Sequence, residues 1–180
     1  YKRQVAIGAT GHDADDGTNS IGHVRVYQFD SNNLWVQMGQ DIDGEAYYDK
    51  SGWSVSLSSD GSTVAIGALQ HDADDGTINI GLVRVYQYDS NNLWVQIGQD
   101  IDGESERDYL GHSVSLSSDG SIVAIGANGG NSNSSGLVRV YQYDSNNLWV
   151  QMGQDIDGES GGDKSGLSLI HISEPTRPSI

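Results

Sequence analysis

The chain has 180 residues, with 25 Asp and Glu against 9 Lys and Arg and a formal net charge of −16. A surface so acidic repels nucleic acid and anionic membrane at long range, which sets both aside as partners. The 24 Gly, 2 Pro and absence of Cys favour short strands joined by tight turns and exclude disulfides, thiolate zinc sites and cysteine nucleophiles. No apolar run is long enough to span a membrane.

Along the chain, the first predicted strand is Val5-Ala6-Ile7-Gly8-Ala9, followed by the acidic loop His12-Asp13-Ala14-Asp15-Asp16-Gly17. Strands at Val24-Arg25-Val26-Tyr27-Gln28 and Leu34-Trp35-Val36-Gln37 come next, and then the acidic run Gly39-Gln40-Asp41-Ile42-Asp43-Gly44-Glu45. The same series returns twice. Val-Ala-Ile-Gly-Ala recurs at Val64 and Val123, a period of about 59 residues, with a shorter loop inside the third copy.

One full period resolves into four strands, judged from turn residues and from β-branched and aromatic content. They are residues 53–57, closed by the Asp60-Gly61 turn, then 63–68, then 82–88, stopped by Asp89-Ser90-Asn91-Asn92, and finally 93–97. No segment has helical periodicity. Large residues on both faces of the later strands require each small sheet to be covered on both sides by neighbouring repeats. That arrangement predicts an all-β fold: a β-propeller fragment with four-stranded antiparallel blades and a repeat of about 59 residues. Trp35, Trp94 and Trp149, flanked by Leu and Val in every copy, are expected between blades rather than as sugar-stacking platforms.

The expected organisation is a partial blade over 1–50 lacking its first strand, blades over 51–109 and 110–164, and a truncated blade from 165. By the repeat, Gly166 should be followed by Trp-Ser-Val-Ser-Leu. The string from Leu167 to Arg177 instead resembles the in-frame translation of a sequencing-library adapter, so 167–180 is expected to be foreign to the natural protein. The end blades are expected to pack against further blades of the same chain and to expose apolar faces without them.

The run from Ser51-Gly52-Trp53-Ser54 through Ser59-Asp60-Gly61-Ser62 to Ala68, with its copy from Leu110-Gly111-His112-Ser113 to Ala127, resembles the FG-GAP repeat of integrin α-like propellers in its Ser-x-Asp-Gly variant. The resemblance covers residues 4–166. It implies a non-catalytic module for extracellular or surface recognition and adhesion, secreted or at the cell surface, with a protein or glycan ligand and calcium in its loops. The chain departs from the integrin pattern where the name-giving Phe is Ser51 or Leu110, and where the Pro after Gly-Ala is Thr10, Leu69 or Asn128. In the hairpin that carries calcium in integrins, the ligand positions read Ser56, Ser58, Asp60 and Val64, and one carboxylate cannot hold that ion.

A second set of acids has cation-like spacing. Asp41, Asp43, Glu45 and Asp49 stand at relative positions one, three, five and nine, repeated by Asp100, Asp102, Glu104 and Asp108 and by Asp155, Asp157, Glu159 and Asp163. Such spacing lets alternate side chains of a curled loop converge on one hard cation, so these twelve residues are the predicted Ca2+ ligands, opposite the simpler reading of solvated turns. The His12 and His71 loops are read as solvated turns, and without a Ser, Cys or second His at fixed spacing those histidines receive no catalytic role. Two other readings stand beside the adhesion module: a propeller enzyme, lyase or hydrolase, with its active site in blades outside this chain, and an intracellular protein-interaction propeller.

Overall fold

The alternation of apolar residues folds into three antiparallel sheets in the computed structural model, which describes residues 3–129 and 134–170. The first sheet is β1 (Gln4–Ala9), β2 (His23–Phe29), β3 (Trp35–Gln37) and β4 (Ile42–Asp43). The second runs β5 (Ser51–Leu57), β6 (Thr63–Ala68), β7 (Leu82–Tyr88), β8 (Trp94–Gln96) and β9 (Ile101–Asp102). The third repeats it as β10 (Leu110–Leu116), β11 (Ile122–Ala127), β12 (Leu137–Tyr143), β13 (Trp149–Gln151) and β14 (Ile156–Asp157). Each sheet meanders in sequence order, with its last two-residue strand pairing back onto the third strand of the repeat. No helix occurs among the described residues. Such sheets, each laid against the next, are β-propeller blades, and the expected fold class holds. Residues 167–170 add no strand, and the rest of the adapter-like tail lies outside the described residues.

Strand alternation builds two interblade cores. On one face of β6, Val64 and Ile66 join Val24, Val26, Ile42 and Trp94 between the first and second sheets. On the other face, Ala65 joins Val83, Val85, Val123, Ile125 and Trp149 between the second and third. Trp94 and Trp149 are each 3% exposed, whereas Trp35, on the uncovered face of the first sheet beside Val5 and Ile7, is 51% exposed. The tryptophans with a neighbouring blade are interblade packing residues.

Polar groups at these interfaces are paired across the blades. Trp94 Nε1 donates to the Met38 carbonyl at 2.8 Å, and Gln40 clasps the Trp94 backbone, donating to its carbonyl at 2.8 Å and accepting from its N–H at 3.0 Å. Trp149, Ile97 and Gln99 repeat the arrangement. The serines of β5 serve the same interfaces: Ser54 Oγ donates to the Gly111 carbonyl at 2.7 Å, and Ser56 Oγ accepts from Leu116 N–H at 3.0 Å. The glycine of Val-Ala-Ile-Gly-Ala marks where adjacent backbones cross, since a Cβ on Gly67 would overlap the Gly111 carbonyl oxygen.

The Asp60 hairpin is a capped turn. Its carboxylate accepts from Ser58 Oγ, Ser62 Oγ and Ser62 N–H. Asp119 repeats this pattern, and the Ser117 and Ser121 donors push its pKa down to about 2.

Candidate functional site

The twelve acids of the one-three-five-nine sets do not gather around a point. The first of each set is held by the arginine of the third repeat strand. Arg25 Nε donates to Asp41 at 2.9 Å, Arg84 Nε to Asp100 at 2.9 Å and Arg139 Nε to Asp155 at 3.0 Å, each with a second bond from the guanidinium. Gln37, Gln96 and Gln151 each add a donor at 2.7 Å. The Arg25 guanidinium holds Asp41 down at about 2. Burial works against ionisation of Asp100, yet Arg84 and Gln96 keep its pKa below the ordinary value.

In the first two sets the third acid crosses to the next blade. Glu45 binds Arg84 at 2.7 Å and Glu104 binds Arg139 at 2.9 Å, while Glu159 is exposed. The fourth goes elsewhere again. Asp49, 2% exposed, contacts His71 Nδ1 at 3.2 Å, Asp108 accepts from Ser105 N–H, and Asp163 accepts from Ser160 N–H. Asp43, Asp102 and Asp157 end the short strands and are exposed. A hard cation in these loops would have to displace the arginines, and of the twelve residues only Asp43 belongs to a metal-competent cluster among the described residues.

Asp49 raises the pKa of His71, first through its hydrogen bond and then through its charge. A raised histidine pKa contributes stability that is full below the unfolded value of about 6.5 and is lost as pH rises through the folded value. The stability difference between wild type and His71→Ala should therefore narrow in urea unfolding as pH rises above about 6.5 and through the raised folded value. Burial lowers the pKa values of His23 and His112, which titrate with the opposite sign but are common to both proteins and cancel in the difference. A gap that widens with pH would contradict the assignment.

One cluster distinguishes the first blade from the others. His23, Asp43 and His12 present ligand-type atoms that all lie within 4.8 Å of one another. His23 and Asp43 are cross-strand neighbours in the β2–β4 pairing, which sets them side by side. His12 follows β1, and its ring stands 4.1 Å from that of His23. His23 is 7% exposed, and its Nδ1 has no hydrogen-bond partner, lying 4.0 Å from both Asp41 and Asp43. Burial, then the nearby His12 and Arg25, lower its pKa and favour the neutral ring. His12 and Asp43 line a cleft of about 510 Å³ together with Asp15, Arg25 and Asp41, and His23 lies buried beside them rather than in its wall.

Leu82 and Leu137 occupy the place of His23 at the start of the equivalent strands. The signal was therefore present in the sequence as a histidine in a leucine column, one residue before the Val-Arg-Val-Tyr-Gln block. His12 meets His23 through space and across strands rather than at a fixed spacing, so the chain pattern could not show the pair.

No family model and no curated protein sequence matches the chain. Among solved structures it resembles a putative 6-phosphogluconolactonase from Bacteroides uniformis, with TM-score 0.53 and 11% identity, over 87% of this chain and 38% of that one. It also resembles a periplasmic gluconolactonase from Pseudomonas aeruginosa, with TM-score 0.47 and 14% identity, over 85% of this chain and 38% of the other. The chain thus spans well under half the length of each.

Likeness at 11% identity establishes the architecture alone. The expectation of a non-catalytic recognition and adhesion module is corrected to this extent: the solved structure matched with TM-score 0.53 is described as a putative lactonase and not as an adhesion module. The His12, His23 and Asp43 cluster, among the described residues, sets the first blade apart from the other two.

Proposed function

We propose that this chain is a segment of a β-propeller hydrolase acting on a cyclic ester, with the reactive groups in the first-blade cleft and the other two blades as scaffold. The observation that carries this reading is His23, a buried histidine with an unpartnered Nδ1 at a position where the sister blades have leucine. Scaffold positions in a repeat converge on the same apolar residue, so a polar exception left without a partner is a cost that packing does not explain. The fold likeness to a protein described as a putative 6-phosphogluconolactonase supports the substrate class as an analogy.

Two imidazoles and a carboxylate around one point can hold a water molecule and take its proton. The water oxygen bonds to the ester carbonyl carbon, the ring carbon–oxygen bond breaks, and the proton passes to the departing oxygen, giving an open hydroxy acid. The test is acid release from a panel of aldonolactones by the 180-residue chain and by His23→Leu. Turnover in the wild type and its loss in His23→Leu, with thermal stability retained, is expected. Absence of lactone hydrolysis by the wild type, or undiminished hydrolysis by His23→Leu, would overturn the reading.

A further inference from the structure

We infer that His12, His23 and Asp43 form a mononuclear site for a divalent transition cation of the zinc class. Three observations meet at this point. The ligand atoms lie within 4.8 Å of one another, so side-chain shifts of about 1 Å bring them to the spacing that bonds of ~2.0–2.2 Å to one ion require. His23 Nδ1 is buried and has no hydrogen-bond partner, the Asp41 and Asp43 carboxylates standing off at 4.0 Å. The donor set of two imidazoles and one carboxylate suits zinc, cobalt or iron rather than calcium, which takes oxygen ligands.

The surroundings fit such an ion. Asp41, 4.0 Å from His23 Nδ1, is fixed by Arg25 and Gln37 and places a negative charge behind the ligands. Three protein ligands leave coordination positions open toward the cleft, as in hydrolytic zinc sites. The other blades cannot reproduce the set. The second has His71 and Asp102 but Leu82, with His71 already occupied by Asp49, and the third has Leu137. Among the described residues the chain holds one such site.

With their lone pairs on the ion these three groups would no longer take the proton themselves, and the ion would instead make the bound water acidic; the inference rests on the hydrolase reading for the ion's role but not for its binding. Binding is measured by titrating the tag-free 180-residue chain with CoCl2, followed by visible d–d absorption, and with ZnCl2 by equilibrium dialysis and metal analysis. One equivalent of each is expected. His23→Leu, which installs the sister-blade residue, and Asp43→Asn, at an exposed position, should each weaken binding by at least the ~10–100-fold that loss of an outer-shell partner costs. His71→Leu should leave binding unchanged. No binding by the wild type, or equal binding by His23→Leu and Asp43→Asn, would overturn the site. Cobalt binding without lactone hydrolysis would sink the hydrolase reading alone, and hydrolysis by a wild type that binds neither cobalt nor zinc would sink the metal site alone.

Discussion

Trp94→Ala is expected to destabilise the chain by about 3–5 kcal/mol, the range for truncating a fully buried large aromatic residue. The ring is 3% exposed and packs on Tyr88 with centroids 5.1 Å apart, in the core formed by Val24, Val26, Ile42, Val64 and Ile66. Its Nε1–H also satisfies the Met38 carbonyl of the preceding blade, so removing the indole leaves a void and an acceptor without its donor at one interface. Trp35→Ala provides the internal control. The same repeat position is 51% exposed there, and its loss should cost less than about 1 kcal/mol. Urea unfolding of the two variants measures the contrast, and equal losses would mean that interblade packing is not what holds the tryptophan.

Asp100→Ala should cost about 2–3 kcal/mol, somewhat below the cost of breaking a fully buried ion pair because Asp100 keeps 32% of its side chain in water. Arg84 is only 11% exposed, and without Asp100 it retains Glu45, itself 66% exposed. Glu45→Ala removes only that outer partner, and under about 1 kcal/mol is expected. The pair also has a pH signature. Asp100 has a depressed folded pKa, so its contribution is present above the unfolded value of about 3.9 and is lost as pH falls through the folded value. The gap between wild type and Asp100→Ala should therefore close on acidification below about pH 4. Equal destabilisation by Glu45→Ala would show that the interblade contact, not the intrablade one, dominates.

Much of the fold was legible because each strand carries its own signals. The bounds expected for the second and third repeat strands, 63–68 and 82–88, are those of β6 and β7. The first strand starts two residues earlier than expected, at Ser51, because Gly52 takes a positive φ of 84° and the β5–β6 register shifts there, a bulge that lies outside any alternation pattern. β4, β9 and β14 were missed. Each is an Ile-Asp pair inside a run of acids and glycines, and it becomes a strand only by pairing with β2, β7 or β12.

The site divides the same way. Spacing along the chain showed the acids of the one-three-five-nine sets but not their directions. Asp41 precedes the two-residue strand β4 and Asp43 ends it, each 4.0 Å from His23 Nδ1, whereas Glu45 reaches an arginine of the next blade. Asp49, expected among the calcium ligands, is buried against His71 of the next blade.

The sequence by itself determined the all-β class, the repeat, the strand order and the tryptophan positions, since these follow from local alternation, turn chemistry and identity between copies. Only the tertiary structure decided which acids meet arginines, which histidine meets a carboxylate, and that His12, His23 and Asp43 come together at one point. Those pairings join residues on different strands or different blades, and their distances are set by strand register and blade stacking, which no spacing along the chain encodes.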